Sequence, residues 1–150
     1  TIAPYMGKDS VEPFLTYKDK HAILLALTSN HGAADFQVAK NAETPLFKEV
    51  LTTSLNYENA DRLMYVVGAT KAEYLKEIRA LVPDAFLLIP GVGAQGGSLK
   101  DVFENGANEQ IGLLVNSSRG ILYASKGEDY AAAAAKVAAS LQNQMQKLLA

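Results

Sequence analysis

The chain has 150 residues, 49% of them hydrophobic and 20% charged, with a formal net charge of −2; that size fits one domain with a substantial core, and the weak acidic balance gives no basic footprint for nucleic acid or an anionic membrane. No apolar run approaches the roughly 18 residues of a membrane span and no secretory pattern opens the chain, so the expected setting is the cytoplasm. Without a single cysteine there is no disulfide, thiolate nucleophile or cysteine-held metal, and with only His21 and His31 a histidine-rich metal site is not expected.

In chain order, Thr1 to Gly7 (TIAPYMG) reads as the end of a strand entering a loop. Asp9 and Glu12 form a D-x-x-E start for a short helix, with Pro13 in its first turn. His21 to Thr28 (HAILLALT) is a continuous apolar run, the pattern of a strand buried on both faces, and it ends in Ser29-Asn30-His31-Gly32. After Pro45, the spacing of Leu46, Val50, Leu51 and Leu55 predicts an amphipathic helix. Leu63 to Val67 is the next buried strand, closed by Gly68-Ala69, and Thr70 with Glu73 predicts a capping box for a helix over 71–82 that Pro83 and Asp84 stop.

Phe86 to Ile89 is a third strand, and it runs into a loop with four glycines between Gly91 and Gly97. Glycine lacks a Cβ and tolerates positive φ, so such a loop can bring backbone N–H groups close to an anion. Ser98 and Asp101 form an S-x-x-D start for a helix over 99–105, ended by Gly106. Ile111 to Val115 is the last strand and leads into Asn116-Ser117-Ser118-Arg119-Gly120. A long helix from Asp129 to about Leu149 closes the chain, with Tyr130, Ala134, Val137, Leu141, Met145 and Leu148 on one apolar stripe. Strands that each lead into a helix imply a parallel sheet with right-handed crossovers. In such sheets ligands gather at the C-terminal ends of the strands, where the polar and glycine-rich clusters named above as following strands fall.

Each candidate has a plain structural reading beside the functional one. Arg119 can grip a phosphate through two parallel hydrogen bonds, or it is a solvated or salt-bridged surface arginine. Gln95 offers one acceptor and two donors, or it bonds its own loop. Ser29 can bond a heterocycle edge, or it is a turn or N-cap serine. His31 reads as structural or exposed, Asp9 as a helix cap, and Tyr5 and Met6 as packing. No nucleophile–base pair, metal cluster or carboxylate dyad stands out.

The segments IPGVGAQGGS (89–98) and VNSSRGILYAS (115–125) closely resemble the two C-terminal motifs of the orotidine 5′-phosphate decarboxylase family. LTSNHGAADFQ (27–37) resembles the segment after that family's fifth strand, and APYMGKDSVEPFL (3–15) the segment after its fourth. The resemblance runs the length of the chain, in the family's order, and is greatest to the longer-chain branch. It implies an α/β fold, a (β/α)8 TIM barrel, with residues 1–150 as the C-terminal half of one barrel domain, from the end of strand 4 to the final helix and without internal boundary. It implies cofactor-free decarboxylation of orotidine 5′-monophosphate to UMP, in a homodimer with sites near the subunit interface.

By the same resemblance Gln95 and Arg119 hold the 5′-phosphate with the Ser118–Arg119 backbone, Ser29 bonds the pyrimidine edge, and Pro90 and Val92 line the apolar side of the base pocket. The family's charged Lys/Asp network, with its D-x-K-x-x-D motif, is not in this sequence. Asp19-Lys20 and Lys100-Asp101 lack the spacing and sit on predicted helices. No catalytic residue is therefore expected here, and the N-terminal half of the barrel is the expected partner. Two other readings stand: a related phosphosugar-barrel lyase of the hexulose-phosphate synthase or ketogulonate-phosphate decarboxylase type, which uses a metal, and a non-catalytic phosphate-binding module.

Overall fold

The computed structural model describes residues 1–38, 43–93 and 96–149. Four strands, β1 (Ala22–Leu27), β2 (Leu63–Val67), β3 (Leu87–Pro90) and β4 (Leu113–Asn116), form one parallel sheet in chain order. Parallel neighbours in sequence need a crossover between them. These are supplied by α2 (Ala33–Phe36) and α3 (Leu46–Ser54), by α4 (Leu75–Leu81), and by α5 (Leu99–Gly106). Outside β1, Ile2 adds a parallel bridge to Leu24, with its N–H on the Ile23 carbonyl and its carbonyl receiving the Leu25 N–H. The expected strand end at the start of the chain is thus present, and it extends the sheet by one position.

The strands alternate in what they bury, and that decides the architecture. Leu24, Leu63, Tyr65, Leu87 and Ile89 are buried in one core with Val11 and Leu15 of α1 (Lys8–Leu15), Phe47 and Leu51 of α3, Leu75 and Ile78 of α4, and Val102 of α5. The alternate positions Ile23, Leu25, Met64 and Leu88 are only half-buried, and Leu114 is 41% exposed. The register pairs Ile23 with Met64, Val66 with Leu88, and Leu88 with Leu114, so these side chains share the opposite face. A parallel sheet with helices packed on one face and a half-covered apolar second face is the wall of a barrel whose interior is that second face.

Several local expectations are corrected. Gly7, not Asp9, is the N-cap of α1, and Pro13 lies inside the helix rather than in its first turn. Its ring costs the hydrogen bond that would reach the Asp9 carbonyl, on the exposed side where water can substitute. Asp19 and Lys20 fall in the turn after α1, not on a helix. The Thr70–Glu73 capping box does not form. Residues Ala69–Tyr74 make a 3-10 segment broken at Lys71 (φ −117°, ψ 31°) before α4 begins, and the Thr70 hydroxyl is used elsewhere. Gly106 is the last residue of α5, and Ala107 takes the cap.

The fourth strand starts at Leu113 rather than Ile111, because Ile111 and Gly112 both have positive φ (70° and 61°) in a reversal closed by the Asn108–Ile111 bridge. Two short helices replace expected loops, α2 and α6 (Ser118–Leu122). The final helix α7 (Tyr130–Leu148) has the expected span, but its stripe is shallow. Leu141, Met145 and Leu148 are half-buried, whereas Tyr130 is 63% exposed. None of the described helices is long and apolar enough to cross a membrane.

Candidate active site at the C-terminal ends of the strands

Pro90 and Asn116 end β3 and β4 side by side in the sheet register. Beyond Pro90 the glycine loop folds back on itself. Val92 bridges Gly97. The Gly93 N–H donates to the Gly97 carbonyl (3.0 Å), Gly96 to Gly93 (2.8 Å) and Gly97 to Gly91 (3.2 Å). Three of the N–H groups that the glycine pattern offers to an anion are therefore used within the loop. The described part of the loop thus forms a shaped wall beside the neighbouring segment. The helix that follows starts as expected: Ser98 is the N-cap of α5, its hydroxyl oxygen accepting the Asp101 N–H at 3.2 Å.

That neighbouring segment is Asn116 to Gly120. With Pro90, Gly91 and Val92 it encloses a cavity of about 100 Å³ whose walls include Ser118 and Arg119. Val92 is 5% exposed and gives this cavity an apolar floor, while Arg119 is exposed at its rim. The Ser118 hydroxyl donates to the Asn116 side-chain oxygen (3.1 Å). The ion pairs among the described residues are Lys8–Glu12, Lys48–Glu77 and Lys100–Glu104, so no carboxylate there neutralises Arg119. An arginine at the mouth of a small polar cavity suits a bidentate oxyanion such as a phosphate.

Pro90, Val92, Ser118 and Arg119 thus lie around one cavity. Gln95 lies outside the described residues. Ser29 does not line this cavity; it stands half-buried at the C-terminal end of β1. The loop carrying it is tied down on both sides. Gln37 accepts the Thr28 N–H (2.7 Å) and donates to the Thr28 hydroxyl (2.9 Å). The Thr70 hydroxyl donates to the Ser29 carbonyl at 2.9 Å. A Cβ on Gly68 would fall 2.5 Å from the Ser29 nitrogen, so only glycine lets β2's end approach so closely.

Thr70 and Gly68 are not among the sequence-derived candidates; their one signal is a Gly-Ala-Thr at a strand's C-terminal end, which also fits a capping box. Asn30 and His31 are exposed. Tyr5 and Met6, expected to pack, are 69% and 73% exposed in the 3-10 turn Pro4–Met6. No group of three or more His, Asp or Glu among the described residues is placed to hold a metal.

Fold and site define a barrel wall of parallel βα units with a small cavity, rimmed by an arginine, at the C-terminal ends of its last two strands. Comparison with known proteins gives this a family. The model of the orotidine 5′-phosphate decarboxylase / HUMPS family matches residues 1–136, and the chain belongs to that family. It is 59% identical over 149 residues to the orotidine 5′-phosphate decarboxylase of Flavobacterium johnsoniae, covering 99% of this chain and 55% of that protein. It is 58% identical over 147 residues to the Porphyromonas gingivalis protein of the same name, covering 97% and 53%.

Among solved structures it is similar to Leishmania donovani UMP synthase (TM-score 0.77, 36% identity, 93% of this chain and 31% of that one) and to Leishmania donovani OMP decarboxylase (TM-score 0.74, 33%, 94% and 54%). The chain spans about half the length of the curated relatives it matches. The fold is accordingly about half of a (β/α)8 barrel, as the sequence predicts.

Proposed function

We propose that this chain is the nucleotide-holding half of an orotidine 5′-phosphate decarboxylase, the cytoplasmic lyase that converts orotidine 5′-monophosphate to UMP and CO2 without a cofactor in pyrimidine biosynthesis. In this reading residues 1–150 are the C-terminal half of one barrel domain, the N-terminal half supplies the Lys/Asp network, and the whole works as a homodimer. The observation that carries it is the joined cradle of Pro90, Val92, Ser118 and Arg119, in a chain of this family.

The roles follow from chemistry. Arg119 and the Ser118–Arg119 backbone, with Gln95, grip the 5′-phosphate. Pro90 and Val92 give the pyrimidine an apolar wall, and Ser29 bonds its edge. The phosphate does not react, so its binding energy holds the carboxylate against the charges of the other half. Those fixed charges then favour loss of CO2, and a lysine protonates the carbon left behind. The test is UMP affinity of the full-length protein by calorimetry. Arg119→Ala is expected to weaken UMP binding roughly a hundredfold, the loss of a charge-assisted bidentate contact; unchanged affinity removes Arg119 from the site.

A second reading is the metal-using phosphosugar lyase, because the matching family description covers more than the decarboxylase. Turnover of a hexulose phosphate that depends on Mg²⁺ would favour it.

A further inference from the structure

We propose that Thr70 is a positioning residue for Ser29, its hydroxyl fixing the Ser29 carbonyl so that the serine meets the pyrimidine edge at a set distance from the phosphate cradle. This rests on the nucleotide reading given above. The argument starts from the chain path. β1 and β2 end beside each other, with the Gly68 N–H on the Leu27 carbonyl at 2.8 Å, so the loops that follow them share one wall. Ser29 lies two residues beyond the end of β1. The segment Gly68-Ala69-Thr70 packs against it. Gly68 lies flush against the Ser29 backbone, close enough that a Cβ would sit 2.5 Å from its nitrogen and 2.6 Å from its Cα. Thr70 takes the Ser29 carbonyl at 2.9 Å, part-buried.

The same segment reaches the phosphate side. A Cβ on Gly97 would fall 2.4 Å from the Ala69 Cβ and 2.8 Å from the Gly91 carbonyl oxygen, so the glycine loop is seated against Ala69. Three consecutive residues therefore touch both halves of the nucleotide site: Gly68 and Thr70 on the base side, Ala69 on the phosphate side. A rigid link of this kind sets the separation of two binding elements, and a small displacement of one costs binding and rate out of proportion to the contact itself.

Thr70 bonds the Ser29 backbone and is not part of the cavity lining beside Arg119, so altering it leaves that lining unchanged. Thr70→Val keeps shape and volume and removes only the donor, and Thr70→Ser keeps the donor. The measurement is calorimetric affinity of the full-length protein for two probes, UMP and ribose 5-phosphate, which differ by the base. For Thr70→Val the expected result is about tenfold weaker UMP binding with ribose 5-phosphate unchanged, and Thr70→Ser restores UMP. A merely structural role would move both probes together.

The proposal is overturned if Thr70→Val binds UMP like the parent, if both probes weaken equally, or if Thr70→Ser loses UMP as Thr70→Val does. A parent protein that binds neither probe overturns the nucleotide reading itself, and this proposal with it. A parent that binds both, with an unaffected Thr70→Val, overturns the positioning role alone.

Discussion

Gly97 and Ala69 touch so closely that a methyl on Gly97 would lie 2.4 Å from the Ala69 Cβ, with the Gly91 carbonyl oxygen 2.8 Å away on the other side. The glycine loop thus owes its shape to a packing contact with the loop after β2 as well as to its own three internal hydrogen bonds. Neither the Cβ of an alanine nor a backbone carbonyl can swing aside. Gly97→Ala is therefore expected to push the loop outward, to cost about 1–3 kcal/mol of stability as an overpacked site, and to weaken UMP binding by the full-length protein at least tenfold. Thermal melting and calorimetry read both; a variant with parental affinity would separate the loop from the site.

Ser98 is the one helix N-cap among the described helices whose side chain accepts a backbone N–H, from Asp101. Ser98→Ala leaves that N–H without its partner at the helix that adjoins the cradle, and is expected to cost about 1 kcal/mol, or roughly 2–4 °C of melting temperature in a domain of barrel size. Ser98→Asp is expected to recover the loss, since aspartate caps equally well and favours the positive end of the helix. Equal melting temperatures for all three would show that the cap contributes nothing.

Ser54, fully buried, shares a 2.9 Å hydroxyl–hydroxyl hydrogen bond with the buried Tyr65. Burial raises the Tyr65 pKa above its ordinary value, with the Ser54 hydrogen bond opposing in part. The folded-state pKa exceeds the unfolded one, so this contribution to stability is complete below about pH 10. It is lost as the pH climbs through the unfolded value towards the folded one. Tyr65→Phe is expected to cost about 1 kcal/mol at neutral pH, because Ser54 keeps its bond to the Leu51 carbonyl. The gap should close above pH 10, where only the parent must ionise a core phenol. Parallel stability curves from pH 8 to pH 11 would contradict this.

Leu114 tests the barrel directly. It is 41% exposed here, in register with Leu88 on the half-covered face. If that face lines a barrel interior, Leu114→Lys is expected to change the stability of the isolated 150-residue chain by no more than about 0.5 kcal/mol. In the full-length protein the same change buries an unpaired ammonium and costs several kcal/mol. Small effects in both settings would mean that this face is never covered.

The strands were legible because each is a short, almost purely apolar run bounded by polar or glycine residues, as Leu63–Val67 and the run ending at Leu27 show. Their parallel order followed from helices between them, and the Ser98 cap from its S-x-x-D spacing. Boundaries set by backbone strain are not legible: nothing in the sequence places the β-branched Ile111 at positive φ, and the last strand begins two residues later than its apolar run. The capping box at Thr70 and Glu73 failed for a tertiary reason, since Thr70 bonds the carbonyl of a residue 41 positions away. Likewise, the glycines signalled a close backbone approach, but not that their N–H groups would bond one another. At the site, the strand-end position marks Arg119 as a candidate, whereas Pro90 and Val92 enter only through the family resemblance. The sequence could not show that Ser29 is held from behind by a neighbouring strand's loop.

The most direct test of the whole account is decarboxylation of orotidine 5′-monophosphate, followed with and without added Mg²⁺, by the 150-residue chain alone and by the full-length protein that carries it. The expected result is no turnover by the chain alone, and metal-independent release of CO2 with formation of UMP by the full-length protein. Turnover by the 150 residues alone would contradict it, as would a full-length protein that leaves orotidine 5′-monophosphate intact.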